Sequence, residues 1–253
     1  MSRIQLTLVQ IDNYGPWTVT PAPRRETDLQ TLQSRLYADL SQFVGHYDCY
    51  IFFTRFDNML AVTNGMDRAA HRRLQETVRN RYPVTVSLST AAAESPVDAL
   101  ETASIQLQRA GSAQDRDRRE ILRIEETADT DDRLHIAHFD VNDVTEDYTD
   151  EINAFDTFIE IEQAYASLMR YFRHEYDGLS FFVGGDNIIA ACPELTENAY
   201  RDAIAHVRGS VDVELKVGVG RAPRAQPAGM AAKHALETCR SDGSIVEFAR
   251  PTA

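Results

Sequence analysis

The chain carries the same order of elements twice, and this repeat limits its fold more than any single motif does. In the first half, Ile4-Gln5-Leu6-Thr7-Leu8-Val9-Gln10-Ile11 alternates apolar and polar residues and stops at Asp12-Asn13-Tyr14-Gly15, a strand ending in a turn. Leu29, Leu32, Leu36 and Leu40 then recur at helical spacing between Glu26 and Val44. Tyr50-Ile51-Phe52-Phe53 and Met59-Leu60-Ala61-Val62 flank Arg55-Phe56-Asp57-Asn58, a strand, a tight turn and a strand. A helix over 68–81, a strand over 84–88 and a helix from Pro96 towards Gly111 complete the set. The second half repeats it. A strand over 134–139 stops at Asp140-Val141-Asn142-Asp143, and a helix over 150–174 follows. Strands over 179–183 and 188–191 then flank Gly184-Gly185-Asp186-Asn187. A short helix over 197–207, a strand over 214–219, a helix over 230–239 and an edge strand at 245–248 end the chain.

In both halves about 45 residues separate the Asp that ends the first strand from the Asp in the hairpin, which aligns Asp12 with Asp140 and Asp57 with Asp186. The order βαββαβ predicts two tandem ferredoxin-like α+β domains. Each would be an antiparallel sheet with both helices on one face and the other face open to a cleft. The expected domains are 1–115 and 133–253, joined by 116–132, a stretch dense in charge that reads as a linker.

In this topology the first strand and the hairpin are neighbours at the centre of the sheet, so Asp140 is expected to meet Asp186, and Asp12 to meet Asp57. Two carboxylates in contact repel unless a cation lies between them or one takes a proton. Hard oxygen ligands suit Mg²⁺, which uses few protein ligands and completes its shell with water and substrate phosphates. Paired metals at such a site stabilise the attacking and leaving oxygens of a phosphoryl group. Gly184 and Gly185 permit positive φ and close approach of a nucleotide, although Gly-Gly and Asp-Asn are also ordinary hairpin residues. The first half has Arg55-Phe56 there, so it is expected to keep its carboxylates and lose the close approach. His138, two residues before Asp140 on the same strand face, reads either as a proton donor or acceptor or as a satisfied core histidine. Cys49, Cys192 and Cys239 are far apart and no HExxH is present, so zinc has no visible ligand set.

The net charge of −13, with Lys only at positions 216 and 233, argues against a general nucleic-acid binder, because an acidic surface repels phosphates. The same excess suits a halophile's protein, whose self-repulsion molar salt screens; scarce lysine also fits a GC-rich genome. No window approaches the roughly 18 apolar residues of a membrane span, and Met1-Ser2-Arg3 leads directly into strand-like alternation. The expectation is a cytoplasmic protein with no membrane partner.

The paired halves with GGDN resemble the palm domain shared by class III nucleotide cyclases, diguanylate cyclases and family B polymerases. More closely, Gln10-Ile11-Asp12-Asn13-Tyr14-Gly15-Pro16-Trp17-Thr18-Val19-Thr20-Pro21 resembles the opening of the archaeal GTP cyclohydrolase III family. The segments 53–58, 75–83, 111–115 and 182–187 are similar to it as well, so the resemblance spans almost the whole chain. It implies GTP as substrate, opening of the guanine imidazole ring and loss of the two outer phosphates. The implied products are 2-amino-5-formylamino-6-ribosylamino-pyrimidinone 5'-monophosphate and inorganic phosphate. It further implies Mg²⁺, stimulation by K⁺, a role in riboflavin or deazaflavin coenzyme synthesis, and a homo-oligomer as the expected assembly.

The palm pattern implies Asp140 and Asp186 as metal ligands, with the backbone carbonyl of Val141 as third contributor. Asp12 and Asp57 are their first-half counterparts, either catalytic or vestigial. Arg240 matches the place where diguanylate cyclases set a basic residue on the phosphates, and Lys216 is the other cation near the site; a salt-bridging or solvated role fits both. Asn13, Asn58 and Asn187 are amides beside the carboxylates, suited to guanine or ribose and equally at home in turns. With Gly184 and Gly185 they form the expected substrate contacts. A nucleotide or dinucleotide cyclase on the same palm, or an inactive GTP-binding sensor, would use the same residues, and the products formed from GTP decide between them.

Overall fold

The computed structural model describes residues 2–141 and 153–250. Asn142, Asp143 and the expected helix start at 150–152 lie outside them. The chain divides into two compact units, Arg3–Glu94 with Asp98–Asp132, and Arg133 onward with Ser95–Val97.

The first unit runs β1 (Ile4–Ile11), α1 (Tyr14–Val19), α2 (Glu26–Gly45), β2 (Tyr50–Arg55), β3 (Asn58–Val62), α3 (Arg68–Arg81), β4 (Val86–Ala93), α4 (Pro96–Arg109) and β5 (Leu122–Ile124). Its sheet has the order β2-β3-β1-β4-β5, with β1 antiparallel to β3 and β4. The first four strands are in the ferredoxin-like order that the repeat predicts. Alternation along β1 and β3 sends Val9, Ile11, Met59 and Ala61 to one face, where they pack with Leu36 and Leu40 of α2 and Leu74 and Val78 of α3. Asp67 starts α3 by accepting from the Ala70 N–H, a helix cap that fixes where its apolar face begins. Part of the stretch read as a charged linker, 116–132, adds a strand to this sheet. Leu122–Ile124 pairs parallel to β4, and Leu122 is buried. A three-residue strand is too short to show a period, so only its charge was visible in the sequence.

The second unit runs β6 (Leu134–Val141), α5 (Ala154–Glu175), β7 (Leu179–Gly184), β8 (Asn187–Cys192), α6 (Glu197–Val211), β9 (Leu215–Ala222), α7 (Ala225–Asp242) and β10 (Val246–Phe248). Its sheet order is β10-β9-β6-β8-β7, the same arrangement with a parallel edge strand added beside β9. Ala137, Phe139, Val217 and Val219 face Leu168 and Phe172 of α5 and Tyr200 and Val207 of α6. The opposite face was expected to be open, and in this unit α7 covers it. Gly218 and Gly220 allow that approach. A Cβ at Gly218 would lie 2.1 Å from the Ala232 carbonyl oxygen, and one at Gly220 2.1 Å from that of Ala228. The helix begins earlier than the sequence suggests because Pro227 sits in its first turn, where its missing N–H costs no intrahelical bond.

Candidate functional site

The site of the second unit lies where β6 meets the β7–β8 hairpin. Asp140 pairs with Asn187 across β8 and with Lys216 across β9. The Val141 N–H donates to the Asp186 carbonyl oxygen at 3.1 Å, tying the end of β6 to the turn. Gly184 and Gly185 hold φ of 110° and 63°, which only glycine adopts readily, and a Cβ on Gly184 would point into open space. The turn therefore leaves the Asp186 side of the strand ends uncovered.

Asp140 is only 6% exposed. Burial raises its carboxyl above the usual carboxylate range; a bond from Arg240 opposes this, and the charge of Asp186 adds to it. Arg240 Nη2 donates to Asp140 Oδ1 at 2.7 Å, while its Nη1 donates to Glu237 Oε1 at 2.7 Å. The last turns of α7 thus bring a guanidinium onto the carboxylate that β6 presents. Asn187 Nδ2 donates to Asp186 Oδ1 at 2.7 Å, and His138 Nε2 donates to Asn187 Oδ1 at 2.9 Å. Burial holds the His138 imidazole below its ordinary range, so it is neutral at pH 7. Its Nε2 proton is spent orienting Asn187, which favours the satisfied-histidine reading over proton transfer at that atom.

These groups suit a hard divalent cation. The Asp140 carboxylate stands beside the hairpin turn that carries Asp186, and a guanidinium already sits on it as a cationic stand-in. Among the described residues no three His, Cys, Asp or Glu side chains cluster as a metal cage. Water or phosphate oxygens would have to complete the shell, as Mg²⁺ prefers. Val141 follows Asp140 at the end of β6 and is buried.

In the first unit the strand register corrects the alignment read from the sequence. The Ile11 N–H donates to the Asp57 carbonyl oxygen at 3.0 Å, so Asp57 does match Asp186. The residue opposite Asn58, however, is Gln10. Both β1 and β6 are eight residues long, and Asp140 lies within its strand while Asp12 lies just past the end of its own. Matching the two by their shared place before a turn was off by two residues; matching the strands from their first residues would have found Gln10. Gln10 Nε2 donates to Asn58 Oδ1 at 2.9 Å, an amide pair in place of an acidic one.

Asp12 is instead a buried structural acceptor. It takes bonds from Thr85 Oγ1 at 2.9 Å, Ser87 Oγ at 2.5 Å and the Glu120 N–H at 2.9 Å, with Arg118 Nη2 at 3.8 Å. The Asp57 carboxylate accepts from Arg55 at 2.9 Å. Asn13 adopts a left-handed conformation, φ 53°, and its N–H donates to the Ala113 carbonyl at 2.7 Å, which ties it to the 111–115 loop.

A family model described as GTP cyclohydrolase III matches residues 4–249. A Natronomonas pharaonis protein named GTP cyclohydrolase III is 67% identical over 99% of this chain and 100% of its own length. One from Halobacterium salinarum is 62% identical over 98% of each chain. One from Methanocaldococcus jannaschii is 45% identical over 96% of this chain and 90% of its own. Among solved structures, the chain is similar to a bacterial light-regulated adenylyl cyclase with a TM-score of 0.40, 11% identity, and coverage of 98% of this chain and 85% of that one. The GGDEF domain of DgcB from Caulobacter crescentus gives a TM-score of 0.38 at 13% identity, covering 46% of this chain and 78% of that one. At those scores the fold assignment rests on the strand order instead. No described helix is long and apolar enough to cross a membrane.

Proposed function

This chain belongs to the GTP cyclohydrolase III family, and we propose that its second unit carries a Mg²⁺-dependent site that opens the imidazole ring of GTP and releases the two outer phosphates. The observation that supports the reading is the place of Asp140, beside a glycine turn that carries Asp186 and is tied to the same strand end by the Val141 N–H bond to the Asp186 carbonyl. Asp140, Asp186 and the Val141 carbonyl would hold the metal. When bound it would polarise phosphoryl oxygens and neutralise charge that develops on them.

The chain's own groups do the rest. Asn187 fixes the Asp186 carboxylate, and His138 fixes Asn187, so one oxygen of Asp186 is oriented before anything binds. Arg240 reaches the site from α7 and carries several N–H groups in one plane, a geometry suited to phosphate oxygens. Lys216, paired with Asp140 across β9, adds a second positive charge near that strand end. The glycine turn lets the triphosphate come close to the backbone of the hairpin. The expected products are the formylamino-pyrimidine 5'-monophosphate and inorganic phosphate, with K⁺ as a monovalent activator.

The test is product analysis from GTP with Mg²⁺. Ring opening removes the absorbance of intact guanine and releases phosphate, and chelation should stop both. A cyclic product with its base intact would overturn the reading. So would near-wild-type turnover by Asp140→Asn or Asp186→Asn.

A further inference from the structure

Helix α5 of the second unit presents four large apolar side chains to solvent. Phe155, Phe158, Ile159 and Met169 are 68%, 47%, 40% and 37% exposed. Their helical spacing puts them on one face, turned away from the face of Ile161, Leu168 and Phe172 that enters the core. The rings of Phe155 and Phe158 pack against each other, with centroids 6.0 Å apart.

The fold does not require this stripe, and the first unit supplies the comparison. α2 holds the same place in its unit, and its buried Leu36, Leu40 and Val44 match Ala164, Leu168 and Phe172 of α5 in spacing. That alignment sets Thr27, Gln30, Thr31 and Ser41 against Phe155, Phe158, Ile159 and Met169, and all four are exposed. One copy of the duplicated helix is thus solvated by polar groups where the other offers two aromatic rings, an isoleucine and a methionine. Exposed apolar side chains that cluster, where single ones need no explanation, mark a surface that another surface covers.

The charges select the partner. Asp156, Glu160 and Glu162 lie in the N-terminal half of α5, and Arg170 and Arg173 in its C-terminal half beside Glu175. The helix is therefore complementary to itself when reversed. A second copy running antiparallel sets acidic half against basic half at both ends, as a twofold axis requires. The order of charge also suits the helix dipole, but a dipole gives no reason for apolar residues beside it. α2 is not complementary in this way, because Arg35 and Asp39 cancel in its second half. An axis level with residue 164, midway between Ile159 and Met169, brings Ile159 of one copy onto Met169 of the other. It also brings Glu162 of one beside Arg170 of the other. Ala166, on the same face between them, has a side chain small enough for the two helices to approach closely.

We propose that α5 is a self-association surface, on which a second copy of this chain docks its own α5 antiparallel about a twofold axis. Two such faces bury on the order of 1,000 Å², the low end for specific pairs, so the pair should dissociate in the micromolar range. Sedimentation equilibrium of the full chain at fixed KCl is the test. Phe155→Thr, Phe158→Gln, Ile159→Thr and Met169→Ser together give α5 the side chains of α2. They should weaken association at least about tenfold, with the helix content by circular dichroism unchanged. Glu162→Arg and Arg170→Glu should each weaken the pair about fivefold, and the two in one chain should restore it. Misfolding would not be reversed by a second substitution. A wild-type chain that stays monomeric well above micromolar concentration would overturn the proposal and leave the stripe to a different partner. Association indifferent to the four-residue variant, or a double variant weaker than either single one, would overturn it as well. Mass decides this reading and GTP turnover decides the metal reading of the second unit, so the two fail separately.

Discussion

Arg240 Nη2 lies 2.7 Å from Asp140 Oδ1, so the cation held by the buried carboxylate of the second unit is one the chain supplies itself. A metal must displace that guanidinium from the shared oxygen, and phosphates arriving with the metal offer it a new partner. Metal and nucleotide should therefore bind better together than apart. Arg240→Gln should raise the affinity of the nucleotide-free protein for Mn²⁺ by roughly threefold to fivefold, as suits a half-exposed pair worth up to about 1 kcal/mol. Its affinity for GTP should fall. Electron paramagnetic resonance of free Mn²⁺ reads the first effect directly, and weaker Mn²⁺ binding in the variant would refute the competition.

The register predicts unequal halves. Asp140→Asn and Asp186→Asn should each lower turnover by about 100-fold or more, the scale of losing a principal electrostatic group. Asp57→Asn should cost much less, because Gln10 stands where the second unit has Asp140 and the Asp57 carboxylate serves Arg55. Ring opening and phosphate release, measured together on all three variants, check this. Equal and complete loss in Asp57→Asn would contradict it.

Asp12 should matter for stability. Asp12→Asn replaces an acceptor of three hydrogen bonds with a group that is partly a donor, and it leaves Arg118 buried without its counter-charge. The expected cost is about 1.5–3 kcal/mol, seen as a lower denaturant midpoint with little change in slope.

Acid should destabilise the fold through histidine. His71 is buried, its Nδ1 donates to the Asp67 carbonyl, and its Nε2 accepts from Thr7, which fixes a neutral ring. Burial lowers the pKa of His71, and likewise of His135 and His138, below the ordinary histidine value of about 6.5. The unfolded chain then binds more protons than the native one as pH falls below that value. Stability is full above it and declines towards the folded-state values. Melting temperatures between pH 7.5 and 5 should fall, and His71→Gln should flatten the slope.

Salt should act in the opposite sense to its usual role of weakening surface ion pairs. With a net charge of −13, lowering KCl from molar levels should lower the melting temperature through unscreened repulsion. Halophilic archaeal relatives at 67% and 62% identity accord with such an adaptation. A flat or rising melting temperature on dilution would remove it.

Much of this arrangement was legible in the sequence, because strand alternation and helical spacing are periodic signals that burial imposes. Both sheets, their strand order, and the pairing of Asp140's strand with the hairpin that carries Asp186 follow from that periodicity and from topology. What escaped were features with no period. β5 is three residues long and hidden among charges. α7 reads as starting only near Met230, because Pro227 and Gly229 lie in its opening turns. The pairing of Gln10 with Asn58 depends on register, which a count between two conspicuous aspartates does not fix.

The glycines of β9 have a consequence of their own. With Ala232 and Ala228 backbone atoms 2.1 Å from where a Cβ would sit, Gly218 and Gly220 act as a depth gauge for α7. A methyl group at either position would have to lift the helix, and Arg240, riding near its far end, would be carried off its target. The reach of a surface arginine is thus metered by two residues that have no side chain at all.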